Sequence, residues 1–439
     1  MKVAFVGCGY VFDIYMRTKW AYPEIAVCGV FDIDTARSEV VRRHYGFRVY
    51  ADLDEVLADP EVETVVNLTS IKSHVEVTRR SLEAGKHVYS EKPVALDLAD
   101  ARALFDLAAT RGLVLTCAPS NVYTDAVRTA WKAIADGAVG KPVLIYAELD
   151  DNPAHLMRLE SVRSPTGAPF PYAEELQEGC TVEHVAYHLV WLCAMFGPAQ
   201  SVVAASNWLV AQKTQTPLDP PDTPDLSVAM LTFANGVTAR VTCSWVGPRD
   251  HSFRIIGEEG QITVDNVFHD RSPVFLERFS RVSLSARKLR SLRTSPGIAR
   301  RFGIGGRRLS LVQHWKSYAV GAEKGVGTSL KHRLVSWLRI REVYAQDKLL
   351  GIAEMMRALG SGNPQPLTPG FLLHLNELTL LIQRAGSAGI ATTPTTTFDA
   401  LTLFDDSGAS TTSGNIRETY RPRLLESLAS RVVGTAHRE

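Results

Sequence analysis

The chain has 439 residues, 45% of them apolar and 22% charged, with a formal net charge of +1 at pH 7. This balance argues against disorder through most of the chain, the length suits two or three domains, and no apolar run reaches the 18 residues of a membrane-spanning helix. The small net charge conceals an asymmetry: residues 278–341 hold 16 Lys/Arg against one acidic residue, Glu323, which leaves about −14 on the remainder.

The first third alternates strand and helix patterns. Lys2–Val6 reads as a strand, followed by a Gly-containing turn and a helix to about Trp20. Ile25–Phe31, Thr64–Leu68, His87–Tyr89 and Leu113–Cys117 read as further strands, with helices at Asp34–His44, Ser73–Ala84 and Asp97–Arg111 between them. Strands separated by helical patterns of 10–15 residues imply βαβ units and a doubly wound parallel sheet, an α/β Rossmann domain over residues 1–120.

After Pro119 the pattern changes. Ala126–Asp136 reads as a helix, Val143–Glu148 as a strand, and Thr181–Phe196 as a helix stopped by Gly197-Pro198. Strand-like runs follow at Ser201–Ala205, Leu226–Phe233, Val237–Trp245, Ser252–Ile256 and Gln261–Val264, with hairpin signals at Asn235-Gly236 and Glu259-Gly260 and a proline-rich loop at Thr214–Asp225. This predicts a second, α+β domain with an open-faced, mostly antiparallel sheet over residues 121–401. The basic segment is an insertion in it, and Glu342–Leu359 and Phe371–Ala388 are closing helices. Residues 402–439 read as a mobile tail.

Gly7-Cys8-Gly9 follows a strand and opens a helix. The first glycine permits a tight turn, and the second lets a pyrophosphate approach backbone N–H groups at the helix start. Phe12 stands where a third small residue is usual. Asp32 ends the second strand, placed to accept hydrogen bonds from the adenosine ribose and to repel a 2′-phosphate, so NAD is expected over NADP; Arg37 nearby blunts that preference. The N-terminus runs straight into a strand, leaving no room for a signal peptide. The six cysteines have neither metal nor disulfide-framework spacing, so a cytoplasmic protein with reduced thiols is expected.

The block Glu83 to Pro93 (EAGKHVYSEKP), the run Asn67-Leu68-Thr69-Ser70 with His74, and Asp136 to Pro142 (DGAVGKP) resemble the glucose-fructose oxidoreductase / inositol dehydrogenase / rhizopine-catabolism (Gfo/Idh/MocA) family. The resemblance covers roughly residues 2–270 and, weakly, 342–400. It implies a Rossmann domain followed by an open-faced β-sheet domain with the active site between them. The cofactor-facing set it implies is Gly7, Gly9, Tyr10, Val11, Asp32, Thr69, His74, Glu91 and Lys92. Lys92 is implied to contact the substrate hydroxyl and the nicotinamide ribose, with a Lys92-Pro93 bond that is often cis in the family. The family's Asp and His four apart on the first helix of the second domain are expected at His184, which replaces the Asp, and His188. His188 or Lys92 is then the proton acceptor, and Asn121, Tyr123, Glu183 and His184 are substrate contacts. The His184/His188 pair also has zinc-compatible spacing, but no third ligand stands at a telling distance, and no metal is expected.

These features predict an NAD(H)-dependent oxidoreductase acting on a secondary alcohol or ketone of a sugar or sugar derivative, including nucleotide-linked sugars. A redox-neutral glycoside-cleaving or epimerising enzyme and a non-catalytic sensor or scaffold on the same fold are the alternatives. A homo-oligomer built through the β-sheet domain is expected. The basic segment suits a substrate phosphate, a peripheral membrane contact, an acidic partner or a solvated extension. No nucleic-acid motif accompanies it.

Overall fold

The computed structural model describes residues 1–214, 217–290, 295–314, 346–401, 403, 416–419, 424–425 and 428. The Leu334–Arg339 run of the basic segment and most of the tail lie outside them.

Strands β1 (Lys2–Val6), β2 (Ala26–Phe31), β3 (Thr64–Asn67), β4 (His87–Ser90) and β5 (Leu115–Cys117) form a parallel sheet in the order β2-β1-β3-β4-β5. β3 is buried along its whole length, as expected of a strand covered on both faces. Three of the helices start at side-chain caps that the turn sequences supply: Asp34 before Thr35–Tyr45, Asp52 before Leu53–Ala58 and Asp97 before Leu98–Thr110. The short Leu53–Ala58 helix was not expected from the sequence.

The second sheet has nine strands. They are β6 (Pro142–Asp150), β7 (Ala199–Asn207), β8 (Leu226–Phe233), β9 (Thr238–Ser244), β10 (Phe253–Gly257), β11 (Gly260–Val264), β12 (Val274–Arg278), β13 (Arg307–Arg308) and β14 (Ile390–Thr392). Their order is β13-β12-β11-β10-β6-β9-β8-β7-β14, and only the β6–β9 pairing is parallel. In β8, Ser227, Ala229, Leu231 and Phe233 point into the core, while Val228 and Met230 are exposed beside Val203 of β7. One face of the sheet is therefore packed and the other is open. The basic segment is not wholly an insertion: Arg278 ends β12, Arg307 and Arg308 extend the sheet edge, and Arg287 pairs with the buried Glu277. In the tail, Ile416 is buried and its N–H donates to Asp136 at 2.8 Å, so this part is anchored.

Two late helices join the layers. Pro369–Gln383 packs on both Leu98–Thr110 and Ala186–Phe196. Leu349–Ser361 returns to the first sheet, where Leu349, Ile352 and Met355 share a core with Phe5, Phe12 and Tyr15. Gly351 makes that return feasible, because a Cβ there would lie 2.4 Å from the Tyr89 hydroxyl. The helix expected over Thr181–Phe196 forms as Cys180–His184 and Ala186–Phe196. Val185 between them keeps helical dihedrals (φ −58°, ψ −32°), so the axis continues.

Candidate functional site

A cavity of about 380 Å³ opens between the two sheets, above the ends of β1, β3 and β4. Its first wall is the dinucleotide turn. Gly7 has φ +95°, and a Cβ there would stand 2.5 Å from the Leu68 carbonyl, so only glycine fits. The space above Gly9 is open. The Asp32 carboxylate accepts from the N–H groups of Cys8 (2.7 Å) and Asp34 (2.9 Å), which fix its orientation at the end of β2. Phe12, at the usual third small position, is fully buried against Phe5 and Tyr45. This turn, its open glycine and the oriented carboxylate fit a bound dinucleotide.

Arg37 is held within the protein. Its guanidinium donates to the carbonyls of Cys8 and Thr166 and to the Thr166 hydroxyl. Thr166 belongs to the segment 152–171, which crosses from the second domain onto the helix Tyr10–Met16. The buried Asp13 on that helix accepts from Ser164, from the N–H and hydroxyl of Thr166, and from Tyr45.

Tyr10, Val11, Thr69, His74, Glu91 and Lys92 all line the cavity, as the sequence suggested. The His74 ring sits between the carbonyls of Pro93 (2.8 Å) and Thr69 (3.1 Å), which braces the cis Lys92-Pro93 turn. Glu91 accepts from Tyr15 and Lys348, both at 2.9 Å, and from the Lys92 N–H at 3.2 Å. Burial alone would raise its pKa, but Lys348 and Lys92 outweigh that and hold it at about 2.

At the centre, Lys92 Nζ donates to Glu183 Oε2 at 2.5 Å, with both side chains about one-tenth exposed (9% and 10%). Burial opposes the ammonium, yet Glu183, Tyr187 and Glu91 raise the pKa of Lys92 above the ordinary lysine value. Lys92 therefore stays charged and is a hydrogen-bond donor, not the resting base. Tyr187 completes this wall: its ring lies 6.0 Å from Lys92 Nζ, and its hydroxyl accepts from Lys348 at 3.4 Å. Opposite stands Glu175, whose pKa desolvation and the nearby Glu183 push well above the ordinary carboxylate value, which favours its neutral form.

Three sequence expectations are corrected here. His188 does not reach the cavity. It is fully buried, donates from Nε2 to the Glu148 carbonyl (2.9 Å) and accepts at Nδ1 from the Trp191 indole (3.1 Å). Burial lowers its pKa to about 4, and with both ring nitrogens engaged it has no site from which to take a substrate proton. The i, i+4 pair facing Lys92 is Glu183/Tyr187, one residue earlier than the histidine pair, or about 100° round the helix. His184 does line the cavity, with its buried Nδ1 unpartnered and its pKa lowered by burial to about 3. Asn121 and Tyr123 do not line it: Asn121 donates to the Val267 carbonyl (2.6 Å), and Tyr123 is a core residue.

Lys348 and Tyr187 were missed. Lys348 is positioned because Asp347 accepts from Thr18 (2.7 Å) and from Tyr22, an arrangement between residues more than 300 apart that no local pattern announces. Among the described residues no cluster suits a metal ion, and no helix is long and apolar enough to cross a membrane.

A dinucleotide turn facing a Lys-Glu pair across the cavity defines the class, a Rossmann-fold oxidoreductase with a C-terminal β-sheet domain. The chain belongs to the Gfo/Idh/MocA family. Residues 1–118 match the oxidoreductase family's NAD-binding Rossmann fold, and residues 127–263 match its C-terminal domain. It is 26% identical over 273 residues to an uncharacterized oxidoreductase of Synechocystis sp., covering 60% of this chain and 71% of that one. It is 23% identical over 271 residues to myo-inositol 2-dehydrogenase of Thermotoga maritima, covering 61% and 76%. The WlbA dehydrogenase of Bordetella pertussis, solved with NADH and UDP-GlcNAcA, shares the fold at TM-score 0.62 and 17% identity, covering 90% of this chain and 97% of that one.

Proposed function

We propose that the protein is an NAD(H)-dependent oxidoreductase that interconverts a secondary alcohol and a ketone on a sugar or sugar derivative. The observation that carries the reading is the Lys92–Glu183 pair, buried in a cavity whose other wall is the dinucleotide turn. When bound, the nicotinamide supplies a hydride acceptor at this wall. The chain's own groups then manage the proton. The Lys92 ammonium donates to the alcohol oxygen and stabilises the charge that develops on it, a role suited to a cation in a dry site. Glu183 Oε2 receives the hydroxyl proton, while Tyr187 and His184 orient the ring. NAD over NADP is supported by the fixed Asp32 carboxylate and by the engagement of Arg37 with Thr166. The exposed Val203, Val228 and Met230 support pairing of subunits through the open sheet face. The sugar dehydrogenases among the relatives are consistent with this substrate class.

The segment 152–171 favours a second reading. Its ties to Asp13 and Arg37 cover the cofactor helix, as suits a cofactor that is retained through a redox-neutral cycle. One experiment separates the two. Purified protein is incubated with NAD⁺ and a panel of sugars, and products are followed by mass together with absorbance of reduced cofactor. A product two mass units lighter with stoichiometric NADH supports the dehydrogenase. A cleaved or epimerised sugar without net NADH supports the retained cofactor. Tight cofactor binding with no reaction across the panel would refute both readings for the substrates tested and favour a sensor.

A further inference from the structure

Beside the catalytic cavity lies a second one, of about 200 Å³. Tyr10, Asp151, Phe170 and Glu175 line both, so the two chambers adjoin across a shared wall that one ligand can span. The far walls of the second chamber are Met157, Leu159, Val162, Tyr172, Leu176 and Trp245. Apolar chambers of about 150 Å³ take a benzene ring in protein interiors, so this volume suits one ring.

The charges decide what kind of ligand can span that wall. Six carboxyl groups line the catalytic chamber (Glu91, Asp151, Glu174, Glu175, Glu178 and Glu183), against the ammoniums of Lys72, Lys92 and Lys348. Lys348 and Lys92 are already matched to Glu91 and Glu183. The guanidinium of the second chamber, Arg249, is held by Asp151 at 2.5 Å. A diphosphate at the shared wall would meet the Asp151 carboxylate, and among the described residues the guanidinium lining the chamber, Arg249, is already paired with it. Such a like-charge arrangement rejects a ligand rather than binding it. A free sugar, conversely, leaves the aromatic chamber filled with water.

We infer that the substrate is a neutral glycoside whose sugar lies against Lys92 and Glu183 and whose ring-sized, largely apolar aglycone fills the second chamber. The inference rests on the sugar-oxidoreductase reading for its catalytic end and replaces the expectation of a nucleotide-linked substrate. Stacking and burial of the aglycone, not charge, supply the added affinity.

The test uses matched sets of the free sugar, its p-nitrophenyl β-glycoside and its UDP conjugate, for glucose, galactose and N-acetylglucosamine. Binding to the NADH-loaded protein is measured by calorimetry, and turnover with NAD⁺ by absorbance. At least one p-nitrophenyl glycoside is expected to bind at least about tenfold tighter than its free sugar, with the UDP conjugate weakest. Ala154→Trp, which fills the second chamber, and the milder Val162→Phe are each expected to lower the glycoside-to-sugar affinity ratio by about tenfold or more. Equal binding of sugar and aryl glycoside, preference for a UDP conjugate, no aryl-glycoside binding, or an unchanged ratio in both variants overturns the inference. Aryl glycosides that bind in this way but are never oxidised sustain the chamber assignment and sink the oxidoreductase reading. Free sugars oxidised as readily as their aryl glycosides do the reverse.

Discussion

Replacing Lys92 by Met tests the site at its centre. The pair it breaks is buried, with Glu183 10% exposed and, among the described residues, no other cation hydrogen-bonded to it. Removing one partner of a buried ion pair typically costs about 3–5 kcal/mol, because the remaining charge is stranded. Glu91 keeps Lys348 and Tyr15, so only Glu183 is stranded, and the lower end, about 3 kcal/mol, is expected. The raised pKa of Lys92 fixes the pH at which this is visible. A group held charged by its partner contributes its stability below its unfolded pKa and loses it only as pH rises through the higher folded value, so at pH 7 the effect is complete. Glu183→Gln in the same background removes the stranded charge. The double variant should therefore be more stable than Lys92→Met alone, with a coupling of about 2 kcal/mol in urea unfolding. Turnover should fall roughly 10³-fold in each single variant and little further in the double, because the two groups act as a unit. NADH affinity should fall by much less than turnover. Full activity in Lys92→Met, or losses that simply multiply in the double variant, would refute the assignment of these residues.

Other predictions follow from the same geometry. His188 titrates near 6.5 when unfolded but at about 4 when folded, so the unfolded chain binds more protons between those values, and stability should fall by roughly 3 kcal/mol as pH drops from 6.5 to 4. His188→Gln should flatten that slope in urea midpoints and keep turnover within about threefold; a turnover loss matching that of Glu183→Gln would return His188 to the chemistry. Asp32→Ala should weaken NADH binding about tenfold or more, whereas Arg37→Ala should leave the NADPH-to-NADH affinity ratio unchanged in fluorescence titrations. A selective loss of NADPH binding in the latter would show that Arg37 meets the 2′-phosphate. Met230→Glu, on the open face of β8, should lower the mass seen by light scattering, and an unchanged mass would exclude that face as the subunit interface.

Much of the Rossmann half was legible because its strands are short apolar runs punctuated by turn residues, and because Gly7, Gly9 and Asp32 owe their roles to local backbone position. The β8–β9 hairpin was legible from Asn235-Gly236 for the same reason. What failed depends on distance along the chain. β13 and β14 are two and three residues long and exist only because a neighbouring strand offers its edge. Leu349–Ser361 reads as an ordinary closing helix of the second domain, and nothing within it announces that it packs beside Phe5 and Tyr15. Lys348 reaches the site only as a consequence of that return.

The histidine pair misled for a reason that can be stated physically. The stretch Cys180–Phe196 is apolar around nearly its whole circumference and buried on all sides, so periodicity marks no inward face. Glu183/Tyr187 and His184/His188 have the same spacing, and spacing cannot choose between them. Charge can. A histidine enters an apolar interior as a neutral ring with its two nitrogens satisfied by a carbonyl and an indole, as His188 does. An ionised carboxylate needs a cation when it is buried. Glu183 is the only acidic residue between Gly179 and Gly197, so a helix bound for the core had to turn that residue towards a buried cation. The Lys92 segment was already marked by its resemblance. Joining those two facts selects the face, and with it Tyr187, four residues on.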